Sequence, residues 1–209
     1  MTNSKPNIRE LRLYREQLKK ILILGIEELY SHDFKNIDDE VSERNLCARL
    51  AHYMECILKR NENLSLFSRY FVDVEYNRMA NGHPKMIAND QNKVVCDLLI
   101  HSRGQLELDN LLAIEMKKGN SKINSQKDKN RLKLLTTWEE NLECVRNTML
   151  GAFVRIKKKS CEIEFYEDGE EIYDELSNSI LHDFINQTKQ TPANLLMKEA
   201  IWILNWYIA

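Results

Sequence analysis

Asp97 stands in VVCDLLI with apolar neighbours on both sides, and Glu115 and Lys117 lie two residues apart in LLAIEMKKG. Both stretches read as buried strands, where an uncompensated carboxylate costs several kcal/mol. Side chains alternate across a strand, so Glu115 and Lys117 share a face, and Asp97 shares one with Leu99. Antiparallel pairing through the intervening loop is able to bring Asp97 beside Glu115. Two acids and an ammonium gathered in this way suit metal-assisted hydrolysis of a phosphodiester. Carboxylate oxygens hold Mg²⁺, a hard cation. The ion polarises the phosphate and lowers the pKa of a water, and the ammonium orients that water and offsets developing charge. Blander readings stand beside this one. Asp97 suits a strand-end acid paired with Lys93 or Arg103, and Glu115 and Lys117 suit a strand end whose charges reach solvent.

The elements that must position these residues follow from periodicity. Residues 8–30 carry Leu11, Tyr14, Leu18, Ile21, Leu22 and Leu29 near helical spacing, which predicts a long amphipathic helix. The Asp-rich link at residues 33–40 is expected to break it. Ser42 is a candidate N-cap for a second helix with the stripe Cys47, Leu50, Ala51, Met54, Ile57 and Leu58. Glu43 precedes Cys47 by four residues and Leu50 by seven, which puts it on that stripe. The rival reading is a first-turn acid favoured by the helix dipole.

RYFVDVEYN, VVCDLLIHS and LLAIEMKKG then predict three strands. Glu75 faces with Asp73 and Asn77, either towards Asp97 or towards solvent. His101 and Arg103 either meet phosphate or form a simple exposed strand end, the plainer reading. Leu132, Leu135, Trp138, Leu142, Val145 and Met149 predict a helix that Thr136 or Thr137 interrupts. Residues 151–159 and 161–169 predict a hairpin, and the last forty residues are helical in pattern with an apolar end. The order argues for an α/β chain with one central sheet covered by helices.

At 209 residues the length suits one domain, and 43% apolar with 30% charged residues excludes a disordered chain. A net charge of −2 gives no global attraction to nucleic acid, so any such binding needs a local patch. Residues 117–133 offer one: Lys118, Lys122, Lys127, Lys129, Arg131 and Lys133, with Asp128 as the sole acid. Arg155, Lys157, Lys158 and Lys159 extend it. The acidic run at residues 164–175 is expected to face away. Five cysteines without a C-x-x-C pair predict reduced thiols in the cytoplasm, and Cys47, His52 and Cys56 read as packing. The run ILILGI is too short to span a bilayer, so no membrane association is expected.

Asp97 followed by Glu115-Met116-Lys117, on adjacent strands after a leading helix, resembles the PD-(D/E)XK superfamily of restriction-endonuclease-like nucleases. Cys96 stands where the family's name has proline, a position that ligates nothing. The resemblance covers about residues 40–160. It implies a restriction-endonuclease-like core with a central mixed sheet flanked by helices, and the helical patterns outside it add an appended N-terminal helix within residues 1–35 and C-terminal helices within residues 170–209. By the same resemblance Asp97, Glu115, Glu43 and the Met116 carbonyl are metal ligands, and Lys117 is the water-positioning base. The implied cofactor is Mg²⁺, with Mn²⁺ able to substitute. The implied activity is a metal-dependent endo- or exodeoxyribonuclease, with Arg103 and the basic segment meeting DNA. An RNA substrate, or an inactive nuclease fold serving in a defence or mobile-element complex, is the alternative. The terminal helices offer surfaces for a homodimer or a partner protein.

Overall fold

The computed structural model describes residues 8–60, 67–76, 86–87, 90–93, 95–119, 125–137 and 148–173. The first helix, α1 (Ile8–His32), buries Leu18, Ile21, Leu22, Ile26 and Leu29, spaced at three and four residues as a core-facing stripe requires. It packs on α3 (Glu43–Arg60), whose Leu46, Cys47, Leu50, Met54 and Leu58 are buried. Gly25 lies at the crossing: a Cβ there would sit 2.7 Å from Met54 Cγ and 3.2 Å from Leu50 Cδ1. The missing side chain lets the two helices approach.

The Asp-rich link does not simply break the chain. It forms a short helix, α2 (Phe34–Asp38), held down by buried Ile37. Asp33 Oδ2 accepts from Arg49 Nε and Tyr53 OH, both at 2.6 Å, and ties the link to α3. The Asn45 amide donates to Ser42 Oγ at 3.2 Å, so Ser42 caps α3 as its position predicts. That cap leaves Glu43 in the first turn.

Six strands form an open mixed sheet: β1 (Phe71–Val74), β4 (Leu98–His101), β5 (Asn110–Lys118), β6 (Leu150–Ile156), β7 (Cys161–Glu167) and β8 (Glu170–Ile172), in that spatial order. Every pairing is antiparallel except β5 with β6, whose parallel register runs through Glu115↔Phe153 and Lys117↔Arg155. A parallel pair needs a crossover, and α4 (Gln126–Thr136) lies in that connection. A separate ribbon joins β2 (Met86–Ile87) to β3 (Asp90–Lys93), a pairing the sequence reading does not anticipate.

The helices divide the sheet's faces. Leu98, Ile100, Leu112, Ile114 and Met116 join the core under α1 and α3, whereas Leu99, Ala113 and Phe153 pack with Leu132 and Leu135 of α4. β5 is therefore covered on both sides, which is why its sequence is an almost unbroken apolar run. The interruption expected near Thr137 is present: Thr137 is extended at ψ 124°, and its Oγ1 donates to Lys133 O at 2.8 Å.

Two strands are shorter than expected. β1 stops at Val74 because Glu75 takes a φ of 51°, a left-handed conformation uncommon for a residue with a Cβ. β4 starts only at Leu98, with Asp97 in a bend before it. The acidic run does not face away from the basic one. β7 and β8 pack against α4. Among the described residues no helix is long and apolar enough to cross a membrane. The expected C-terminal helical region begins instead with the strand β8 at Glu170–Ile172, and its remainder from residue 174, with Trp138, Leu142, Val145 and Lys122, lies outside the described residues.

Candidate active site

The β4–β5 register sets the site. Leu98 faces Ile114 and Leu99 faces Ala113 across an antiparallel ladder, so Asp97, one residue earlier, comes level with Glu115. Alternation places both acids on the face that carries Leu99 and Ala113, under α4. Asp97 Oδ2 accepts the Met116 amide at 2.7 Å. The side chain thus takes the place of a backbone acceptor, and the ladder between β4 and β5 ends there. The Asp97 carbonyl accepts the Glu75 amide at 3.0 Å, which fixes the backbone of Asp97 against the end of β1.

Glu115 is 1% exposed, and its Oε1 lies 2.5 Å from Arg131 Nη1. The same Nη1 donates to the Val95 carbonyl at 3.1 Å, and Nη2 stands 3.5 Å from Asp128 Oδ1. Lys117 Nζ reaches Glu43 Oε1 at 3.0 Å, Met116 O at 3.2 Å and Asp128 Oδ2 at 3.3 Å. One strand, the bend before another, the first turn of α3 and the first two turns of α4 supply this cluster.

Its electrostatics are unbalanced. Asp97, Glu115, Glu43 and Asp128 are four carboxylates, and Lys117 and Arg131 are two cations, so full ionisation leaves a surplus of two negative charges. Burial, and then the charge of Asp97, push Glu115 up to about 8, and the contact with Arg131 only partly opposes this. Burial also raises Asp97 above the ordinary carboxylate range, against the lowering effect of the Met116 amide and Lys117. For Lys117, burial disfavours the charge, but Glu43, Asp128 and Asp97 outweigh it and hold the ammonium. The resemblance implies a base at this position; the charged form favoured here has no lone pair to accept a proton. Burial, Asp97 and Glu43 push the Cys47 thiol up, so it packs under the site as a neutral group.

The donors fit a hard dication. Asp97 and Glu115 offer carboxylate oxygens, Met116 offers the carbonyl that accepts from Lys117, and full ionisation of the four acids would leave the charge that one Mg²⁺ balances. Among the described residues no three Asp, Glu, His or Cys side chains are grouped to hold a metal by themselves. The set offered is two side chains and a backbone oxygen, and Mg²⁺ ordinarily completes its shell with water. Glu43, expected among the ligands, instead places its carboxylate on Lys117.

The proposed phosphate contacts fare differently. Arg103 lies beyond the other end of β4, where it grips Asp73 through Nη2 at 2.7 Å and Nε at 2.8 Å and covers the Phe71 ring. His101 is buried and bonded to Asp73 at 2.9 Å, not an exposed strand end. Glu75 turns its carboxylate to Arg44 at 2.9 Å. Along the basic segment, Lys118 donates to the carbonyls of Glu40 and Val41, Lys129 pairs with Glu164 at 2.6 Å, and Lys133 pairs with Glu170 at 3.4 Å. Lys127 is exposed. Arg155 and Lys157 lie against Glu162, and Lys158 against Asp38.

Sequence reasoning misses Asp128 as a member of the cluster. The signal is present: Asp128 precedes Leu132 by four residues and Leu135 by seven, the same placement that singles out Glu43 on α3.

No family model matches the chain, and no curated protein matches it. Among solved structures, one described as "Crystal structure of SSO0001" is similar, with 14% identity, coverage of 90% of each chain and a TM-score of 0.31. At that score the likeness carries no argument about fold or activity.

Proposed function

We propose that this chain is a Mg²⁺-dependent nuclease with a restriction-endonuclease-like core, hydrolysing phosphodiester bonds, with DNA as the substrate the PD-(D/E)XK resemblance implies. The observation that carries the reading is the convergence of Asp97, Glu115 and Lys117 in a cluster whose acids, when all are ionised, outnumber its cations by the charge of one dication. The order α3, β1, β4, β5, α4, β6, with β5 and β6 parallel, supports it as the element order the resemblance implies.

Asp97, Glu115 and the Met116 carbonyl would hold the ion. Bound there, Mg²⁺ supplies polarisation of the scissile phosphate and a more acidic water. Glu43 and Asp128 fix the Lys117 ammonium from two sides. The ammonium donates to the attacking water or to a phosphate oxygen and offsets charge as it develops. Glu43 is therefore a positioning residue for Lys117.

The test is cleavage of linear, circular and single-stranded DNA and of RNA with Mg²⁺, using D97N and K117Q beside the wild type. Loss of at least about a hundredfold in both variants, with melting curves that still show a folded protein, is expected. Equal cleavage by all three proteins overturns the reading. One observation favours a non-catalytic interaction module: three of the four cations of α4, Lys129, Arg131 and Lys133, are already paired with Glu164, Glu115 and Glu170, which reduces the charge offered to a phosphate backbone. A chain of that kind takes up no divalent cation.

A further inference from the structure

Arg131 occupies the position that the proposed chemistry assigns to something else. Its guanidinium reaches a carboxylate that is almost wholly excluded from solvent, and it touches three oxygens from three segments: Glu115 Oε1 on β5, Val95 O before β4, and Asp128 Oδ1 one turn earlier on its own helix. Oxygen donors converging on one positive group are what a hard dication also selects. Arg131 and Asp128 stand three residues apart, so Asp128 is able to hold the guanidinium near the site whether or not it rests on Glu115. A buried acid left without a cation is costly, which explains why a guanidinium lies here at all.

We propose that Arg131 is a resident counter-ion that competes with the divalent cation for Glu115. The proposal rests on the nuclease reading given above and concerns the regulation of that same site. Arg131 holds the metal-free site together, and the cation must displace it. Displacement lowers apparent cation affinity by the fraction of time that Glu115 is free. A guanidinium seated roughly nine times in ten weakens the affinity about tenfold.

The test is calorimetric titration of the EDTA-treated full chain with Mn²⁺, comparing wild type, R131Q and K129Q. Lys129 is a neighbouring cation of α4 whose partner is Glu164, so K129Q removes a nearby charge without touching Glu115. R131Q is expected to bind Mn²⁺ about three- to tenfold more tightly than wild type, with K129Q within about twofold. Unchanged or weaker binding by R131Q overturns the proposal, as does an equal gain in K129Q, which would mean a general field effect. Where circular dichroism shows R131Q unfolded, R131K replaces it: losing the forked contact while keeping the charge is expected to give a smaller gain, and no gain overturns the proposal. A wild type that takes up no Mn²⁺ overturns the metal reading itself. A wild type that binds, beside an unchanged R131Q, overturns the role of Arg131 alone.

Discussion

Glu115 illustrates how far single residues are legible. Alternation alone puts it on one face with Lys117, and the apolar run around it announces burial. What the sequence lacks is the partner, because Arg131 is sixteen positions away and meets Glu115 only once α4 crosses the sheet. Asp128 is hidden by its neighbours: one acid in a basic segment looks like a solvated surface, although its spacing to Leu132 and Leu135 points inwards. A half-buried acid lies away from the site. Glu27 of α1 is pushed up to about 7 by burial and then by Glu28. The folded chain therefore holds that proton more tightly than the unfolded one. Its contribution is complete below about pH 4.5 and is lost as the pH rises to about 7. E27Q is expected to flatten the stability curve across this window and to be the more stable protein at pH 8, by of the order of 1–2 kcal/mol. Parallel curves in urea unfolding at pH 5 and pH 8 would contradict this.

At the scale of elements, helices with clean stripes and caps read well and strand ends do not. Ser42 marks the start of α3 because its hydroxyl meets a local amide, three residues on. The ends of β1 and β4 depend on contacts between distant segments: Glu75 turns out of the sheet, and the carboxylate of Asp97 substitutes for a backbone acceptor. Neither event leaves a local signature. β8 is missed for a related reason, since its charge suggests solvent while its backbone completes a hairpin beside α4. Gly25 gives a test of the α1–α3 crossing that brings α3 over the sheet. Helix propensity favours alanine there by about 1 kcal/mol. The Cβ, however, would meet Met54 Cγ at 2.7 Å, and overpacking of that kind costs about 1–3 kcal/mol. G25A is expected to lower the urea midpoint; an unchanged or higher midpoint would show that the crossing has room to spare.

For the whole molecule, a net charge near zero conceals how the charge is arranged. The basic segment and the acidic hairpin look like separate surfaces in the sequence, yet they neutralise each other through Lys129–Glu164 and Lys133–Glu170. The charge left unbalanced on full ionisation lies elsewhere, in the four-acid cluster at the end of β5, and burial without a further cation holds protons there instead. That imbalance is the reason to expect a cation, and uptake of the cation is its most direct consequence. The deciding measurement is a Mn²⁺ titration of the EDTA-treated chain, wild type against the double variant D97N/E115Q. The expected result is about one ion bound per wild-type chain and none by a folded double variant. No uptake by the wild type, or equal uptake by both proteins, would contradict a metal centre built on Asp97 and Glu115.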